Sequence, residues 1–577
     1  MVQYYNKLSS SILEKLKLIV GEDNYFVDFE TRWTYAFGGT TFQKDWIPEL
    51  ILTPKNANQI ADILKIANRE KIPVTPRGMG TSLSGGQLTP YKGIILDLTK
   101  MNKILKIDIE NNFVELEPGV ICDNLNNILK EYEYFFPPDP GSSSIATIGG
   151  MVASNAGGIQ AFKYGVTKQY VLYIEVVLPE GKKLKLGSDV LKSVATYNIK
   201  DLFIGSEGTL GVITKIGLKI RPLPKSRKLG LFIFKDIEDI QEIVIEIRKE
   251  GIIPNILEFM DKVILKAVIN YLGGDFLNFP NGYVLIVEID GDYNEQINHD
   301  FSRVLNIIDK HNPILIKIAE NETERDNLIS ARKSSLPALS RIEPTCCVED
   351  CTIKISDFSQ VISNIEKIPE QIGAKNLKIA TSCHMEGNLH PKFMFNENNP
   401  EDLDEFTKAI EYLYKKIIIP VGGSITGEHG IGKVKGPFLK LEYENNIIET
   451  MVKIKTLFDP NFILNPGIGK GDKRLLKQVN ISRNLINYKD IPLKLNCMRC
   501  GFCIVSCPSW LQYNTEAYSP RGRLSILNGL VYGDLELTES LNNFIHTCTL
   551  CGSCSEKCPS KLNTLSIFEK IREIIHK

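Results

Sequence analysis

Short runs rich in valine and isoleucine alternate with glycine-rich loops between residues 46 and 224. Within this stretch, apolar positions recur at helical spacing over 56–70, directly before a strand-like run over 72–75. This alternation of helical and strand-like segments predicts an α/β or α+β domain over 46–224.

The pattern changes near residue 225 and stays different to about residue 470. Strand-like runs over 231–234 and 283–288 alternate there with amphipathic helices, of which 237–249 is a clear example. The stretch 225–470 is therefore predicted to form a second domain built on its own sheet.

The two ends of the chain differ from these domains. The segment 1–45 is predicted to hold a helix opened by a capping box of Ser11 and Glu14. Charged residues interrupt the apolar stretch of this helix, so we do not expect it to be an export signal. A polar segment over 471–490 is interpreted as a linker to a cysteine-rich domain, 491–577.

Composition narrows the class of protein. Of the 577 residues, 43% are hydrophobic and 24% charged, as in folded proteins rather than disordered ones. Lys and Arg number 68 against 69 Asp and Glu, so no net charge favours nucleic acid, and none is expected as a partner. No run reaches the roughly 18 apolar residues of a membrane span. We expect a cytoplasmic protein, either free or peripherally bound at the inner face of the membrane.

The cysteines are concentrated at the C-terminal end. Eight of the thirteen form two runs of one spacing, C-x2-C-x2-C-x3-C-P, and these are Cys497, Cys500, Cys503 and Cys507, then Cys548, Cys551, Cys554 and Cys558. In two-cluster proteins with this spacing, each [4Fe–4S] cluster takes three thiolates from one run and the fourth from the other. The predicted ligand sets are Cys497, Cys500, Cys503 and Cys558 for one cluster and Cys548, Cys551, Cys554 and Cys507 for the other. Structural zinc and disulfides are the alternatives, and both fit this spacing and compartment less well.

Two further features near or outside these runs stay open. The Ser-Pro-Arg-Gly-Arg sequence over 519–523 either brings cationic donors to the clusters or is a helix start with solvated arginines. The cysteines Cys346, Cys347 and Cys351 have no cluster spacing, and we interpret them as buried free thiols.

A glycine-rich loop over 73–86 is the strongest candidate for a nucleotide site. It follows a strand and supplies four glycines together with Thr81, Ser82 and Ser84. The backbone N–H groups of such a loop can wrap around a pyrophosphate. The Rossmann fingerprint is incomplete, because Leu83 stands where its last glycine belongs and a strand-like run over 93–98 follows in place of a helix. The loop therefore predicts a different dinucleotide-binding fold.

Three more runs, 137–141, 146–165 and 203–211, complete a recognisable set with the loop 73–86. Together they resemble the FAD-linked oxidases of the vanillyl-alcohol oxidase superfamily, and specifically the branch of glycolate oxidase D subunits and D-lactate dehydrogenases. The resemblance covers about 46–470 and implies an α+β multidomain protein. It would have a two-subdomain FAD-binding domain of the PCMH type, a ferredoxin-like α+β substrate or cap domain and, from the cysteines, a small, mainly helical iron–sulfur domain.

In that family these loops line the pyrophosphate and isoalloxazine of FAD. The residues that the resemblance assigns to FAD are Pro76, Arg77, Gly78, Met79, Gly80, Thr81, Ser82, Gly86, Pro140, Thr147, Gly150, Ser154, Gly157, Gly158, Glu207, Gly208, Ile213 and Asn465. For any single glycine, a tight turn is the alternative role. The flavin is expected to be non-covalent, because the loop has no histidine where covalently linked relatives carry one.

Three of the seven histidines lie in two short polar runs, and these are His384, His390 and His429. With Glu428 they can offer two imidazoles and a carboxylate to a divalent metal such as Zn, Fe or Mn, with open positions for substrate. The resemblance assigns His390 and Glu428 to the metal and His429 to the catalytic base. The family's first histidine falls on Cys383 without a gap and on His384 with a one-residue deletion, so either residue is a candidate third ligand.

The resemblance also assigns Arg332 to the substrate carboxylate, which an arginine can grip with two parallel hydrogen bonds. The alternative is a solvated arginine on a helix. The implied function is an FAD-dependent dehydrogenase that oxidises a 2-hydroxy acid, such as D-lactate or glycolate, to the 2-oxo acid. Electrons would pass through two [4Fe–4S] clusters to a redox partner protein or a quinone-linked membrane subunit, in a homo- or hetero-oligomer.

Two other functions are weighed against this one. A non-redox transferase like alkylglycerone-phosphate synthase is disfavoured, because a reaction without net electron output needs no clusters. An electron-transfer subunit of a larger complex of the heterodisulfide reductase kind is disfavoured by His390, Glu428 and His429, which predict a working substrate site.

Overall fold

The computed structural model describes the chain in six stretches, which are 5–36, 38–39, 46–397, 399–468, 497–531 and 533–575. The predicted linker, 471–490, lies outside the described residues. No described helix is long and apolar enough to span a membrane.

A small sheet forms the first part of the domain after residue 46. Its strands are β1 (Tyr25–Phe26), β2 (Leu50–Leu52), β3 (Val74–Arg77) and β4 (Ile94–Asp97), in the order β1-β2-β4-β3. Strands β2 and β3 run parallel to β4, while β1 runs antiparallel to β2. The helix Ala57–Arg69 connects β2 to β3, and the Asn56 side chain caps it by accepting the N–H groups of Asn58 and Gln59. This helix confirms the prediction over 56–70.

A second, antiparallel sheet completes the domain. Its strands are β5 (Ile104–Asp108), β6 (Phe113–Leu116), β8 (Val171–Val177), β9 (Lys183–Gly187) and β10 (Val212–Lys219), in the order β5-β6-β10-β8-β9, and beside it β7 (Tyr134–Phe135) pairs with β11 (Arg221–Pro222). Four helices accompany these strands: Cys122–Lys130, Ile148–Ser154, Ala161–Tyr164 and Lys200–Phe203. The two sheets confirm the two-subdomain architecture.

The third sheet is the largest and is antiparallel throughout. Its strands are β12 (Ser226–Phe234), β13 (Ile256–Met260), β14 (Tyr283–Gly291), β15 (Leu315–Ile318), β16 (Thr345–Val348), β17 (Cys351–Thr352), β18 (Lys378–His384) and β19 (Asn388–Phe395). The order is β15-β12-β14-β13-β18-β19-β16, with β17 also on β19. The α+β cap domain is therefore confirmed.

Helices cover both faces of this sheet, which explains why strands β12, β13 and β14 carry apolar side chains on both faces. Along β12, Phe232 and Phe234 join one core and Leu231 and Ile233 join the other. The helices of this region are Ile237–Lys249, Lys262–Leu272, Asn294–Asp309, Glu322–Lys333, Ser335–Leu339, Phe358–Glu366, Ile368–Ile372, Pro400–Tyr412 and Leu439–Glu442.

After the cap, the chain returns to the first domain. The helix Asn445–Phe458 ends with Phe458 edge-on to Phe203, at 5.0 Å between ring centroids. Leu464 then forms a parallel bridge with Val74 of β3. Residues near 458–465 thus pack against the part of the chain that forms the first two sheets.

The N-terminal segment lies across two domains. Its helix Ser10–Val20 is capped by Ser9, which accepts the N–H of Ile12, so the predicted capping box of Ser11 and Glu14 is wrong. The second helix, Phe29–Thr34, packs on the cysteine-rich end, where Trp33 donates to the carbonyl of Ser525 at 3.0 Å.

The cysteine-rich end is mainly helical, as predicted. Its helices are Pro508–Tyr513, Pro520–Val531, Glu539–His546, Ser553–Glu556 and Thr564–Ile575. They pack around Leu541, Phe544 and Phe568, and Trp33 from the N-terminal segment enters the same core.

Candidate active site

A cavity of about 520 Å³ lies where the first two sheets, the cap and the cysteine-rich end meet. Every residue predicted to bind FAD lines it except Gly158. A Cβ at Gly158 would lie 2.4 Å from the carbonyl oxygen of Asp139, so this glycine is needed for backbone packing, and the assignment of Gly158 to the FAD surface is not supported.

The glycine-rich loop leaves room along the cavity where side chains would close it. A Cβ at Gly78 would lie 2.2 Å from the hydroxyl of Thr147, and Gly80 has a φ of +65°, which favours glycine. Thr147 in turn accepts the N–H of Gly150 at 3.3 Å and so caps the helix Ile148–Ser154. A loop of this shape, with backbone groups and hydroxyls turned to a cavity, fits the pyrophosphate of FAD.

Glu207, Asn465 and Lys433 join the glycine-rich loop to the histidine-bearing loop, residues 426–432, which carries Glu428 and His429. Both carboxylate oxygens of Glu207 accept the N–H of Gly432, at 3.0 and 3.1 Å, and burial raises the pKa of this carboxyl. The Asn465 side chain donates to the carbonyls of Gly86 (2.9 Å) and Glu207 (2.7 Å). Lys433 donates to Asn465 and Gly86, and its burial lowers the pKa of Lys433 to about 7. Sequence reasoning missed Lys433, which lies outside the motifs.

Three imidazoles converge on one carboxylate oxygen at the cap side of the cavity. The Oε1 atom of Glu428 lies 3.1 Å from Nε2 of His390, 3.5 Å from Nε2 of His384 and 3.6 Å from Nε2 of His429. His384 and His390 reach this point from the neighbouring strands β18 and β19. Glu428 and His429 come from the loop before Gly432, and both line the cavity.

The cluster has the donors that a divalent metal needs. One potential ligand atom from each of His384, His390 and Glu428 lies within 4.8 Å of the others, and the same holds for Asp350, His390 and His429. The buried Nδ1 of His390 has no hydrogen-bond partner in the part of the chain that the structure describes. Imidazole nitrogens with carboxylate oxygen suit Zn, Fe or Mn, so the residues present fit such an ion.

Burial and ion pairing set the charges of this cluster. Burial lowers the pKa of His390 to about 4, which keeps its imidazole neutral and able to bind a metal. The pKa of Glu428 is held well below its usual range despite burial, because His384 and His390 both contact the carboxylate. The pKa of His384 is raised well above its usual range, since Glu258 outweighs the effect of burial.

Glu258 is a residue that sequence reasoning missed. It lies buried on β13, accepts a hydrogen bond from Nδ1 of His384, and pairs with Nε of Arg332 at 2.6 Å. A carboxylate on the distal nitrogen of a ligating histidine fixes the ring and its tautomer. The side chain of Arg332 is only 12% exposed, so the alternative of a solvated helix arginine is wrong. Arg332 itself is not among the described residues that line the cavity beside Glu428.

The strand alternation separates the two candidates for the third ligand. Cys383 points into the apolar core of the cap, and its thiol donates to the carbonyl of His384 at 3.0 Å. His384 points the other way, toward Glu428. The structure therefore brings His384, and not Cys383, to the cluster.

Asp350 holds the histidine-bearing loop in place. Its Oδ2 accepts the N–H groups of Gly427 and His429 at 2.9 Å and of Glu428 at 3.1 Å. Although it is buried, the neighbouring His429 and Lys435 hold the pKa of Asp350 well below its usual range. No motif indicates this residue, because it acts through the backbone of a segment distant in sequence.

The eight cysteines of the two runs form two groups of thiols. Besides burial, the nearby Cys558 thiol raises the pKa of Cys497 and Cys500, and Cys507 does the same for Cys554. Cys558 of the second run therefore lies near Cys497 and Cys500 of the first, and Cys507 of the first run lies near Cys554 of the second. Donors point at the sulfurs, as thiolates require: the Thr564 hydroxyl contacts Cys554 at 2.8 Å. This arrangement fits two [4Fe–4S] clusters.

The arginines between the runs are buried, not solvated. Pro520 begins a helix, as one alternative predicted, but Arg521 is 3% exposed and Arg523 only 1%. Nη1 of Arg523 lies 3.9 Å from the sulfur of Cys507. The expectation of cationic donors near the cysteines therefore agrees with the geometry, whereas that of solvated arginines is wrong.

The remaining cysteines lie apart from these groups. Cys351 is buried, whereas Cys346 and Cys347 are half-buried and line the same cavity as the glycine-rich loop. Burial raises the pKa of Cys346 to about 12, as expected for an inert free thiol.

One wall of this cavity comes from the cysteine-rich end. Cys497 and Cys500 line the same cavity as Gly78 and Met79 of the glycine-rich loop. Sequence reasoning could not place these segments together, because their contact depends on how the domains pack.

Three family models match the chain. The model described as "FAD linked oxidases, C-terminal domain" matches residues 223–468, "FAD binding domain" matches 48–187, and "4Fe-4S dicluster domain" matches 494–562.

Among curated proteins, the glycolate oxidase subunit GlcD of Bacillus subtilis is 35% identical over 80% of this chain and 97% of its own length. D-lactate dehydrogenase of Anaerostipes hadrus is 32% identical over 80% of this chain and 98% of its own. Among solved structures, p-cresol methylhydroxylase superposes with a TM-score of 0.66 at 18% identity, over 81% of this chain and 99% of that one. An alkyldihydroxyacetonephosphate synthase superposes with a TM-score of 0.61 at 19% identity, over 80% and 85%. Both structural likenesses show the fold alone.

Proposed function

We propose that this chain, a member of the family of FAD-linked oxidases that includes GlcD and D-lactate dehydrogenases, oxidises a small 2-hydroxy acid to the 2-oxo acid. The chain is an FAD-dependent oxidoreductase with a [4Fe–4S] dicluster domain. The electrons leave through two [4Fe–4S] clusters to an external acceptor. The observation that carries the proposal is the convergence of three imidazoles on Glu428 at the edge of the flavin cavity.

His384, His390 and Glu428 are the residues we assign to a divalent cation. Bound there, the cation would supply a Lewis acid for the carboxylate and 2-hydroxyl of the substrate. Glu258 supports this role, because it orients the His384 ring from behind.

His429 is the proposed base. Its imidazole lines the cavity beside His390, with 5.0 Å between their ring centroids, and Asp350 fixes its backbone N–H. In the neutral form, its ring nitrogen can accept the proton of the 2-hydroxyl as the hydrogen on C2 departs.

Arg332 is the cation we assign to the substrate carboxylate. Its Nε is engaged by Glu258, which leaves the two Nη groups as donors for a planar carboxylate. The same contact ties Arg332 to His384, so substrate binding and the metal cluster share one buried carboxylate.

The predicted FAD residues other than Gly158 hold the flavin in this proposal. When bound, FAD supplies the acceptor for the hydride from the substrate carbon. The glycine-rich loop binds its pyrophosphate, and Glu207 and Asn465 fix that loop against the histidine-bearing one.

Two electrons arrive with each turnover, whereas a [4Fe–4S] cluster accepts one. Two clusters in series therefore suit a dehydrogenase that delivers single electrons to a partner, either a redox protein or a quinone-linked membrane subunit. We also propose that the protein works as a homo- or hetero-oligomer with that partner.

The test is anaerobic mixing of the purified protein with a panel of D- and L-2-hydroxy acids, followed by flavin absorbance. We expect at least one small 2-hydroxy acid to bleach the flavin and release the 2-oxo acid. If no member of the panel reduces a flavin that dithionite does reduce, the proposal is wrong.

A further inference from the structure

The buried guanidinium of Arg521 donates hydrogen bonds to both the glycine-rich loop and the first cysteine loop, residues 497–503. Nη2 of Arg521 donates to the carbonyl of Met79 at 2.8 Å, and Nη1 donates to the carbonyl of Arg499 at 3.3 Å. Met79 belongs to the loop proposed to hold FAD, while Arg499 stands between Cys497 and Cys500. The two loops are therefore held at a fixed separation by a single side chain.

Glu516 holds this guanidinium in place. Its two oxygens accept from Nε and Nη2 of Arg521, at 2.8 and 2.7 Å. The same carboxylate lies 3.9 Å from Nη2 of Arg77. The guanidinium of Arg77 lies over the ring of Tyr35, whose hydroxyl donates to Asp97 at 2.6 Å. A buried ion pair contributes little net stability compared with apolar packing, so stability alone is a weak reason for this network.

Arg521 contacts the first run of cysteines through the backbone. Its Nη1 donates to the carbonyl of Arg499, the residue directly before Cys500. A Cβ at Gly501 would lie 2.9 Å from Nη1 of Arg521, so the cysteine loop can approach the guanidinium only because it has a glycine there.

Arg523, two residues further along the same helix, faces the other group of thiols. Its Nη1 lies 3.9 Å from the sulfur of Cys507, and its Nε donates to the carbonyl of Phe544 at 2.7 Å. The two arginines thus address different cysteine groups. Of the eight cysteines in the two runs, all described, only Cys497 and Cys500 line the flavin cavity.

We propose that Arg521 is a positioning residue that makes the cluster of Cys497, Cys500, Cys503 and Cys558 the first electron acceptor from the flavin. It holds the first cysteine loop against the glycine-rich loop, and its charge raises the reduction potential of this cluster. Two electrons leave the reduced flavin, each cluster takes up one, and the protons return to solvent. The inference rests on the proposed relay through the clusters, but not on the identity of the hydroxy acid.

The physical reason is the charge of the cluster. Reduction adds one negative charge to a buried group, and the potential follows the net charge and hydrogen bonds around it. A fixed cation in a medium of low dielectric stabilises that added charge more than water would. Removing the cation should lower the potential, and removing the carboxylate that partly neutralises it should raise the potential.

The test uses the full-length protein loaded with FAD and iron, in a redox titration followed by electron paramagnetic resonance. For Arg521→Gln we expect reduction of one cluster to become roughly tenfold less favourable, which is about 59 mV for a one-electron couple. For Glu516→Gln we expect a shift of the same cluster in the opposite direction. For the matched control Arg523→Gln we expect the other cluster to shift and this one to stay.

A purely structural role would give a different result. Both Arg521→Gln and Glu516→Gln would then disturb the loop alike, and shifts of the same sign, or no shift, overturn the proposal.

Should Arg521→Gln fail to assemble its clusters, Arg521→Lys carries the test, because lysine keeps the charge but cannot bond both loops. We expect this variant to keep the potential within a few millivolts and to slow electron transfer from photoreduced flavin to the cluster at least tenfold; an unchanged rate contradicts the proposal. Photoreduction needs no hydroxy acid, so these outcomes are independent of whether the proposed substrate class is correct.

Discussion

Glu428 presents one carboxylate oxygen to three imidazole nitrogens, a geometry that is hard to explain by packing alone. Buried charges are costly unless they are paired or bind a metal. Here the pairing is asymmetric, since Glu258 engages His384 from the far side while Nδ1 of His390 is left without a hydrogen bond in the described part of the chain. The carboxylate of Glu428 and the imidazole nitrogens around it are therefore available on the cavity side, where a cation and a hydroxy acid would complete their contacts.

His429→Asn tests the base. Asparagine is polar and of similar size, but it cannot take up the substrate proton, so the rate of flavin reduction should fall by about 10²–10⁴. Rapid-mixing absorbance measures the rate, and the visible spectrum reports bound FAD, which should be unchanged. Reduction at the parental rate would exclude His429 as the base.

Glu258→Gln tests the residue behind the metal cluster. The amide keeps the shape but loses the charge that holds His384, so we expect metal affinity to drop by about 10–100-fold. Metal content after dialysis against a graded chelator measures the change. The matched control is Glu343→Gln, which removes an ion pair with the exposed Lys378 and should retain metal like the parent protein. Equal metal retention in both variants would show that Glu258 does not support the site.

At the scale of single elements, local pattern predicts well where local forces decide. The helix Ile237–Lys249 has the predicted bounds, because its apolar residues repeat at helical spacing and acidic residues begin it. The cap of the first helix was misplaced, because Ser9, Ser10 and Ser11 can all cap, and packing of Leu16 and Val20 selects among them.

Carboxylates that act across the fold escaped sequence reasoning for a different reason. Glu258 meets His384 over a sequence separation of 126 residues, and nothing near Glu258 marks it as more than a strand residue. The histidines could be found because they stand in glycine-flanked polar runs, whereas their supporting residues have no local sign.

Gly78→Ala tests the glycine-rich loop as an element. The added methyl would lie 2.2 Å from the Thr147 hydroxyl, so the loop or the helix Ile148–Ser154 must shift, and we expect FAD affinity to fall at least tenfold. Gly141→Ala is the matched control, because Gly141 also lines the cavity but its added methyl meets nothing within 4 Å. Fluorescence of released flavin on dilution measures both, and equal retention would mean that this loop does not contact the flavin.

At the scale of the whole molecule, the cysteine-rich end is built into the protein rather than attached to it. Trp33 from the N-terminal segment enters its core, and Arg521 donates to the carbonyl of Met79 in the glycine-rich loop. On the cap side, Tyr271 donates to the carbonyl of Pro559, and Arg341 donates to that of Ser560 at 3.2 Å. The cysteine-rich end therefore contacts the N-terminal segment, the glycine-rich loop and the cap. Because these contacts join segments that are distant in sequence, no local pattern predicted them.

Cys548→Ser separates the two halves of the proposed function. Serine is a poor iron ligand, so the variant should lose up to half of its iron, while the flavin cavity, which no cysteine of the second run lines, should keep FAD. We expect flavin reduction by the hydroxy acid to proceed within about twofold of the parent, whereas steady-state transfer to an artificial one-electron acceptor that docks at the clusters should fall at least tenfold. Ser553→Ala in the same loop, whose hydroxyl contacts Cys551 at 3.5 Å, is the control and should keep its iron. Iron analysis, single-turnover bleaching and acceptor reduction on one preparation give the three readings. Unchanged iron would refute the ligand assignment, and a parallel loss of flavin reduction would mean that the clusters and the flavin site are not separable units.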